Sequence, residues 1–214
     1  GDSKTDSEQV GIGGSFSFDD DLPSVNVGLV GSATAPTLTT QDADTQGSNF
    51  DVAPAEGTAS FAGLFSLTQD MGADDDGTAA TLSYSLGVAA GGVSGLMSDG
   101  NPITLSMVGT DVVGSTTVGV VTTPIFKISV DSSGNVTLTQ YAEIDHVGEG
   151  SDGDASNNSV SNLGLAASAV TLTASATIVD GDGDSKTDSE QVGIGGSFSS
   201  DDDLPSVNVG LVGR

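Results

Sequence analysis

Residues Asp180-Gly181-Asp182-Gly183-Asp184-Ser185-Lys186-Thr187-Asp188 place carboxylates at relative positions 1, 3, 5 and 9, with glycines between the first three. Alternate side chains on an extended backbone share a face but stand about 6.5–7 Å apart, so these acids converge only if the chain curls. Glycine permits that curl because it reaches positive φ at little steric cost. Carboxylates aimed at one point repel each other, and a hard cation among oxygen ligands relieves the repulsion; Ca²⁺ suits such a loop. The spacing follows the first half of an EF-hand loop. Asp180, Asp182 and Asp184 take positions 1, 3 and 5, Lys186 at position 7 offers a backbone carbonyl, and Asp188 stands at position 9. It departs from that motif at position 6, Ser185 for Gly, and at position 12, Gln191 for Glu. The competing reading is a solvated acidic turn.

Further acids fall where the chain changes direction. Asp201-Asp202-Asp203, and Asp19-Asp20-Asp21 earlier in the chain, each stand just before a Leu-Pro pair and an apolar alternation. They read either as calcium ligands at a junction between units or as solubilising charge runs. Asp145 follows an apolar segment and precedes a loop; it is a junction ligand or a turn-initiating Asp. The turn carrying Asp74, Asp75 and Asp76, and the loop carrying Asp152 and Asp154, read first as turns, with a second metal as the lesser alternative. Asp2 and Asp6 match Asp184 and Asp188 but have no upstream partners, so a site there is expected to be empty or weak.

Catalytic constellations are scarce. His146 is the only histidine and there is no cysteine, which leaves zinc short of its preferred ligands. No nucleophile-elbow motif occurs. Carboxylate pairs for glycoside hydrolysis could be drawn anywhere in so acidic a chain, but no Trp offers a sugar-stacking platform. The sequence therefore reads as a non-enzyme.

The 214 residues carry 30 acidic against 4 basic side chains, a formal charge of −26. Nucleic acid and anionic membrane both call for basic surface, so neither is expected as a partner. Self-repulsion on this scale couples folding to bound divalent cations. Apolar residues make up 36% and recur with period two, which is a core pattern rather than a disordered one. The lack of cysteine fits a reducing compartment, or an extracellular chain stapled by calcium instead of disulfides. No apolar run approaches the length of a membrane span, and no secretory signal opens the chain.

Residues 1–31 and 183–213 match at every position except Phe18 against Ser200, an offset of 182 residues. Near-identity of this length is duplication, and it reads as one period of a tandem array plus the start of the next. The expected organisation is residues 1–22 as the tail of a preceding repeat, 23–203 as one complete repeat and 204–214 as the first strand of the next. Period-two segments run through Val10–Phe18, Val25–Val30, Thr58–Thr68, Ala80–Leu86, Pro102–Val108, Val112–Val121, Ile125–Val130, Asn135–Ile144 and Ala169–Val179. Asp131-Ser132-Ser133-Gly134-Asn135 reads as a hairpin turn with Gly at positive φ, and a single helical turn is expected near Ser161–Leu165. The fold class is all-β: an antiparallel, Ig-like β-sandwich, either one elongated sandwich or two lobes per repeat. With aromatics at 4%, Val, Leu, Ile and Ala must fill the core.

The order Phe65–Asp70, Leu82–Leu86, Gly92–Leu96, Pro102–Leu105, Phe126–Asp131, Tyr141–His146 and Leu172–Asp184, closed by Gly195–Phe198 and Asp201–Ser206, resembles the long extender repeat of giant type I-secreted RTX adhesins of Gram-negative bacteria. The resemblance covers roughly residues 58–206. It implies calcium-binding β-sandwich modules that project a distal binding region from the outer cell surface for adhesion or biofilm formation. The family's Asp-Gly-Asp-Gly-Asp motif maps onto Asp180, Asp182 and Asp184, and its Leu-Asp-His element onto Ile144-Asp145-His146. Leu204 replaces the Gly expected before Pro205, and the glycine-rich nonapeptide array that names the class is absent. The implied partners are neighbouring repeats of the same chain, each unit monomeric. A reading from another class makes the repeat itself a binder of sugar or of a cell-surface ligand. Near-identical repetition weighs against it, because binding domains of such adhesins usually occur once.

Overall fold

A computed structural model of the chain describes residues 1–17, 21–41, 55–73, 77–145 and 163–201. The described part is all-β. Its strands are β1 (Ser24–Leu29), β2 (Leu38–Gln41), β3 (Ala55–Ser60), β4 (Phe65–Asp70), β5 (Ser83–Val88), β6 (Val93–Ser98) and β7 (Asn101–Val108). They continue as β8 (Asp111–Val118), β9 (Val121–Val130), β10 (Asn135–Gln140), β11 (Leu163–Gly164), β12 (Val170–Val179), β13 (Ser185–Gly193) and β14 (Phe198–Asp201).

The larger sheet is an antiparallel meander from β6 to β10 with β3 added beside β10. Hairpins make the meander because the linkers are short and polar. Between β9 and β10, Asp131 Oδ1 accepts from the N–H groups of Ser133 (2.8 Å) and Asn135 (2.9 Å). Gly134 sits at φ 77°, as the sequence demanded of that turn. Facing this sheet is the antiparallel set β13-β12-β5, whose β5 approaches β7, β8 and β9. The ribbon β1-β4 lies beside it, with β1 against β13 and β12. A third set, β11-β14-β2, includes the parallel pair β14-β2.

β12 shows how alternation becomes packing. Val170, Leu172, Ala174, Ala176 and Ile178 are all buried, while the residues between them face outward. They join Val112, Ile128, Val136 and Phe61, each 0% exposed, in one hydrophobic cluster. Period-two burial against a facing sheet is the arrangement of a β-sandwich.

Several boundaries differ from the sequence reading. The run Thr58–Thr68 is broken by a 3-10 turn at Ala62–Leu64, where Phe61 and Leu64 turn into the core, giving two strands in different sheets. Val112–Val121 is interrupted at Gly119 (φ 64°), the turn between β8 and β9. The expected helical turn near Ser161–Leu165 is instead the two-residue strand β11 where it is described. Residues 185–188, read as part of the loop, instead open the nine-residue strand β13.

The duplicated segment appears in two surroundings. Residues 183–199 form β13, a 3-10 turn at Gly195–Ser197 and the start of β14. Residues 1–17, with the same sequence, keep the 3-10 turn at Gly13–Ser15 but form no strand. The strand expected over Val10–Phe18 is therefore missing from the described residues 10–17. The turn repeats because its dihedrals are set locally: Ile12 and Ile194 have φ −108° and −116°, both with ψ 1°. The strand does not repeat because it needs β12 as a partner.

Candidate metal centre

The acidic loop is the hairpin turn between β12 and β13. The ladder runs to the pair Val179↔Ser185, and residues 180–184 close it. Asp180 N–H donates to Asp184 O (3.0 Å), and Asp180 Oδ1 accepts from the N–H groups of Asp184 (2.7 Å) and Gly183 (3.1 Å). Gly183 makes the turn at φ 104°, a region L side chains rarely enter. In this curl the carboxylates of Asp180, Asp182 and Asp184 each offer an oxygen within 4.8 Å of the others.

The three are not equivalent. Asp180 is 4% exposed, and its Oδ2 is buried with no hydrogen-bond partner. Leaving a buried acceptor unsatisfied costs about 1–3 kcal/mol, more when it is charged. Asp182 is exposed. Its contact with the Asp180 carboxyl raises its pKa above the usual carboxylate value, and the charges of Asp180 and Asp184 add to the rise. Charge on Asp182 is therefore disfavoured until a cation joins the loop.

The floor of the site comes from a segment the sequence did not connect with it. Thr78 N–H donates to Val179 O (2.9 Å). A Cβ on Gly77 would fall 2.2 Å from Val179 O and 2.6 Å from Asp180 Cα. The backbone of Gly77 thus presses directly on the residue that supplies the buried carboxylate, and only glycine fits there. The sequence marked the Asp-rich run ending in Gly77 as a turn but gave no sign that it reaches Asp180. Asp74, Asp75 and Asp76 themselves lie outside the described residues.

The remaining sequence candidates go elsewhere. Lys186 and Asp188, expected at positions 7 and 9 of the loop, are on β13 opposite Ile178 and Ala176. The nine-residue spacing fails after position 5 because the chain straightens to pair with β12. Asp188 Oδ2 instead accepts from Val27 N–H (2.8 Å) and Asn26 Nδ2 (3.4 Å), tying β1 to β13. Asp145 is also engaged with backbone: its two carboxylate oxygens accept from Asp99 and Gly100 N–H at 2.8 Å each, holding the β6-β7 turn. The turn it holds is a distant one and not one that Asp145 itself begins. Asp21 Oδ2 accepts from Ala73 N–H (2.9 Å). Asp201 ends β14. Asp19, Asp20, Asp202, Asp203, His146, Asp152 and Asp154 lie outside the described residues. Among the described residues, Asp180, Asp182 and Asp184 form the one group of acids close enough to share an ion.

The hard, all-oxygen donor set, the flexible hairpin loop and the bare Oδ2 of Asp180 together fit Ca²⁺. They define an all-β sandwich with a carboxylate loop at one hairpin. Residues 36–193 match the model of the family described as Domain of unknown function (DUF5801), and the chain belongs to that family. No curated protein and no solved structure matches it.

Proposed function

We propose that this chain is a calcium-stabilised extender module of a giant bacterial surface adhesin, a spacer rather than an enzyme. Asp180, Asp182 and Asp184 would hold Ca²⁺, and the ion's part is structural. The observation that carries the reading is the buried, partnerless Oδ2 of Asp180, a residue whose carboxylate lies close to those of Asp182 and Asp184. A cation there satisfies that oxygen, replaces the contact with the Asp180 carboxyl that chiefly raises the Asp182 pKa, and clamps the β12-β13 hairpin. The formal charge of −26 extends the argument to the whole chain, since each bound ion lowers self-repulsion. Near-identical segments 182 residues apart support a tandem spacer, and the resemblance of its sequence to RTX adhesin repeats is what favours the outer cell surface of a Gram-negative bacterium in this reading.

The test is thermal unfolding in chelator and in calcium. Free calcium at 100 times the dissociation constant adds about 2.7 kcal/mol at one site. A midpoint unchanged between the two conditions removes calcium from the account. Magnesium serves as the control, because its octahedral demand and reluctance to dehydrate suit this loop poorly.

A further inference from the structure

Each sheet ends in outer strands, and the outer strands differ in how they are guarded. β13 carries Lys186, Asp188 and Glu190 and has β1 against it. β3 carries Glu56 and has β2 against it, and β4 carries Asp70. β6 is broken by a register shift between Val93 and Met97, with Gly95 at φ 82°. β11 is only two residues long. Charge, bulges, short length and a covering element are the devices that keep a sheet from pairing with other chains. Among the described residues β5 shows none of them. Ser83–Val88 hold no charge and no proline, and they pair with β12 in unbroken register from Ser83↔Ser175 to Val88↔Val170.

That register fixes which backbone groups of β5 are free. Ala89 N–H donates to Ala169 O (3.0 Å), and Ile194 N–H donates to Val170 O (2.9 Å) on the other side of β12. Pairs alternate along an antiparallel ladder, so Ser83, Ser85 and Gly87 are the β5 residues that bond to β12. The N–H and C=O groups of Tyr84, Leu86 and Val88 point the other way, where no described strand pairs with them. A groove of about 640 Å³, within the range of ligand sites, runs beside this strand. It is lined by Leu82 and Tyr84 from the β5 side and by Met107, Thr110, Val130 and Asp131 from the larger sheet and its turns. Met107 shares a face of β7 with buried Ile103 and Leu105, yet it is 42% exposed.

We propose that the free edge of β5 docks an extended segment of another polypeptide as an added strand, uncharged along the edge and basic at its ends. Strand addition draws affinity from main-chain hydrogen bonds and specificity from alternate side chains, which here enter the groove over Met107. Charge selects the partner. The edge is neutral, so a charged residue at its centre would lose water without gaining a partner. The charged side chain lining the groove is a carboxylate, Asp131, and the whole chain carries −26, so Lys or Arg at the ends of the segment is favoured. The same charge works against a second copy of this chain as occupant, because its body is equally acidic. This inference goes beyond the spacer reading and uses no residue of the acidic loop.

The probe is a synthetic peptide with the sequence of residues 170–177, part of the strand β5 already accepts on its other side, with a lysine pair at each end. It is titrated into the full chain at fixed calcium and salt. Fluorescence anisotropy reads binding, and NMR reads solvent exchange of the backbone amides. The peptide is expected to bind and to slow exchange at Tyr84, Leu86 and Val88 by about tenfold or more, equivalent to about 1.4 kcal/mol. Ser83, Ser85 and Gly87, already paired with β12, should hardly change. Methylating alternate peptide nitrogens removes the donors of one edge at a time, so one methylated set should abolish binding and the other should leave it. Exchanging the lysines for glutamates should weaken binding by about tenfold or more. No binding, protection away from these three amides, equal loss from both methylated sets, or equal binding of the glutamate peptide overturns the proposal. Protection of the same three amides without peptide, rising with protein concentration, would assign the edge to a second copy and overturn it as well.

Discussion

Replacing Asp180 by Asn separates the two contributions of the loop, because it acts with opposite sign in the presence and absence of calcium. The amide oxygen still accepts from the N–H groups of Gly183 and Asp184, as Asp180 Oδ1 does at 3.1 and 2.7 Å. The other atom changes from a buried, partnerless acceptor into an NH₂ donor within the acidic loop. In chelator the variant escapes the penalty of an unsatisfied buried acceptor, about 1–3 kcal/mol. For a domain of this size about 1 kcal/mol moves the midpoint by about 2–4 °C, so the variant melts roughly 2–12 °C above the native chain. In calcium at 100 times the dissociation constant the native chain gains about 2.7 kcal/mol. The variant has lost its best-buried charged ligand and gains close to nothing. Circular dichroism melts of both proteins, with and without calcium, give four midpoints. The reasoning fails if Asp180→Asn is less stable than the native chain in chelator, or if calcium raises both midpoints equally.

Three other outcomes follow from the same geometry. Gly77→Ala forces a methyl group against Val179 O and Asp180 Cα, and by displacing the buried carboxylate it should weaken calcium binding by tenfold or more, read by isothermal titration. Asp188→Ala strips Val27 N–H of its acceptor and should destabilise the fold by about 1–3 kcal/mol in chemical denaturation; its calcium affinity should match the native value, because Asp188 is on β13 and not in the loop. Asp131 has its pKa lowered, first by the Asn135 side chain and then by backbone N–H groups. Its contribution is therefore present above the ordinary carboxylate pKa and lost as pH falls through the lowered value. Asp131→Ala should erase that acid-side segment of the stability profile, measured in chelator.

Much of the sandwich was legible because burial on one face writes itself as period two. β12 is the clearest case: Val170, Leu172, Ala174, Ala176 and Ile178 alternate with Thr and Ser and all face the core. β13 was not legible. Its residues 185–191 are Ser, Lys, Thr, Asp, Ser, Glu and Gln, with no apolar alternation. It is a strand because β12 supplies a ladder beside it, and residues 1–17 show that the same sequence forms no strand without that neighbour. The metal loop was legible through position 5, where glycines and acids alternate. Beyond that the loop motif and the β ladder compete for the same residues, and the ladder takes Lys186 and Asp188. Gly77 could not be placed at the site from sequence, because its approach to Asp180 joins residues about 100 apart along the chain through tertiary packing alone.

The most direct measurement is a crystal structure of the chain grown in millimolar calcium, with anomalous scattering recorded to locate the ion. The account predicts one calcium bound by the carboxylates of Asp180, Asp182 and Asp184, with Asp180 Oδ2 at about 2.3–2.6 Å from it. Density for three separate, hydrated carboxylates and no ion between them at saturating calcium would contradict it.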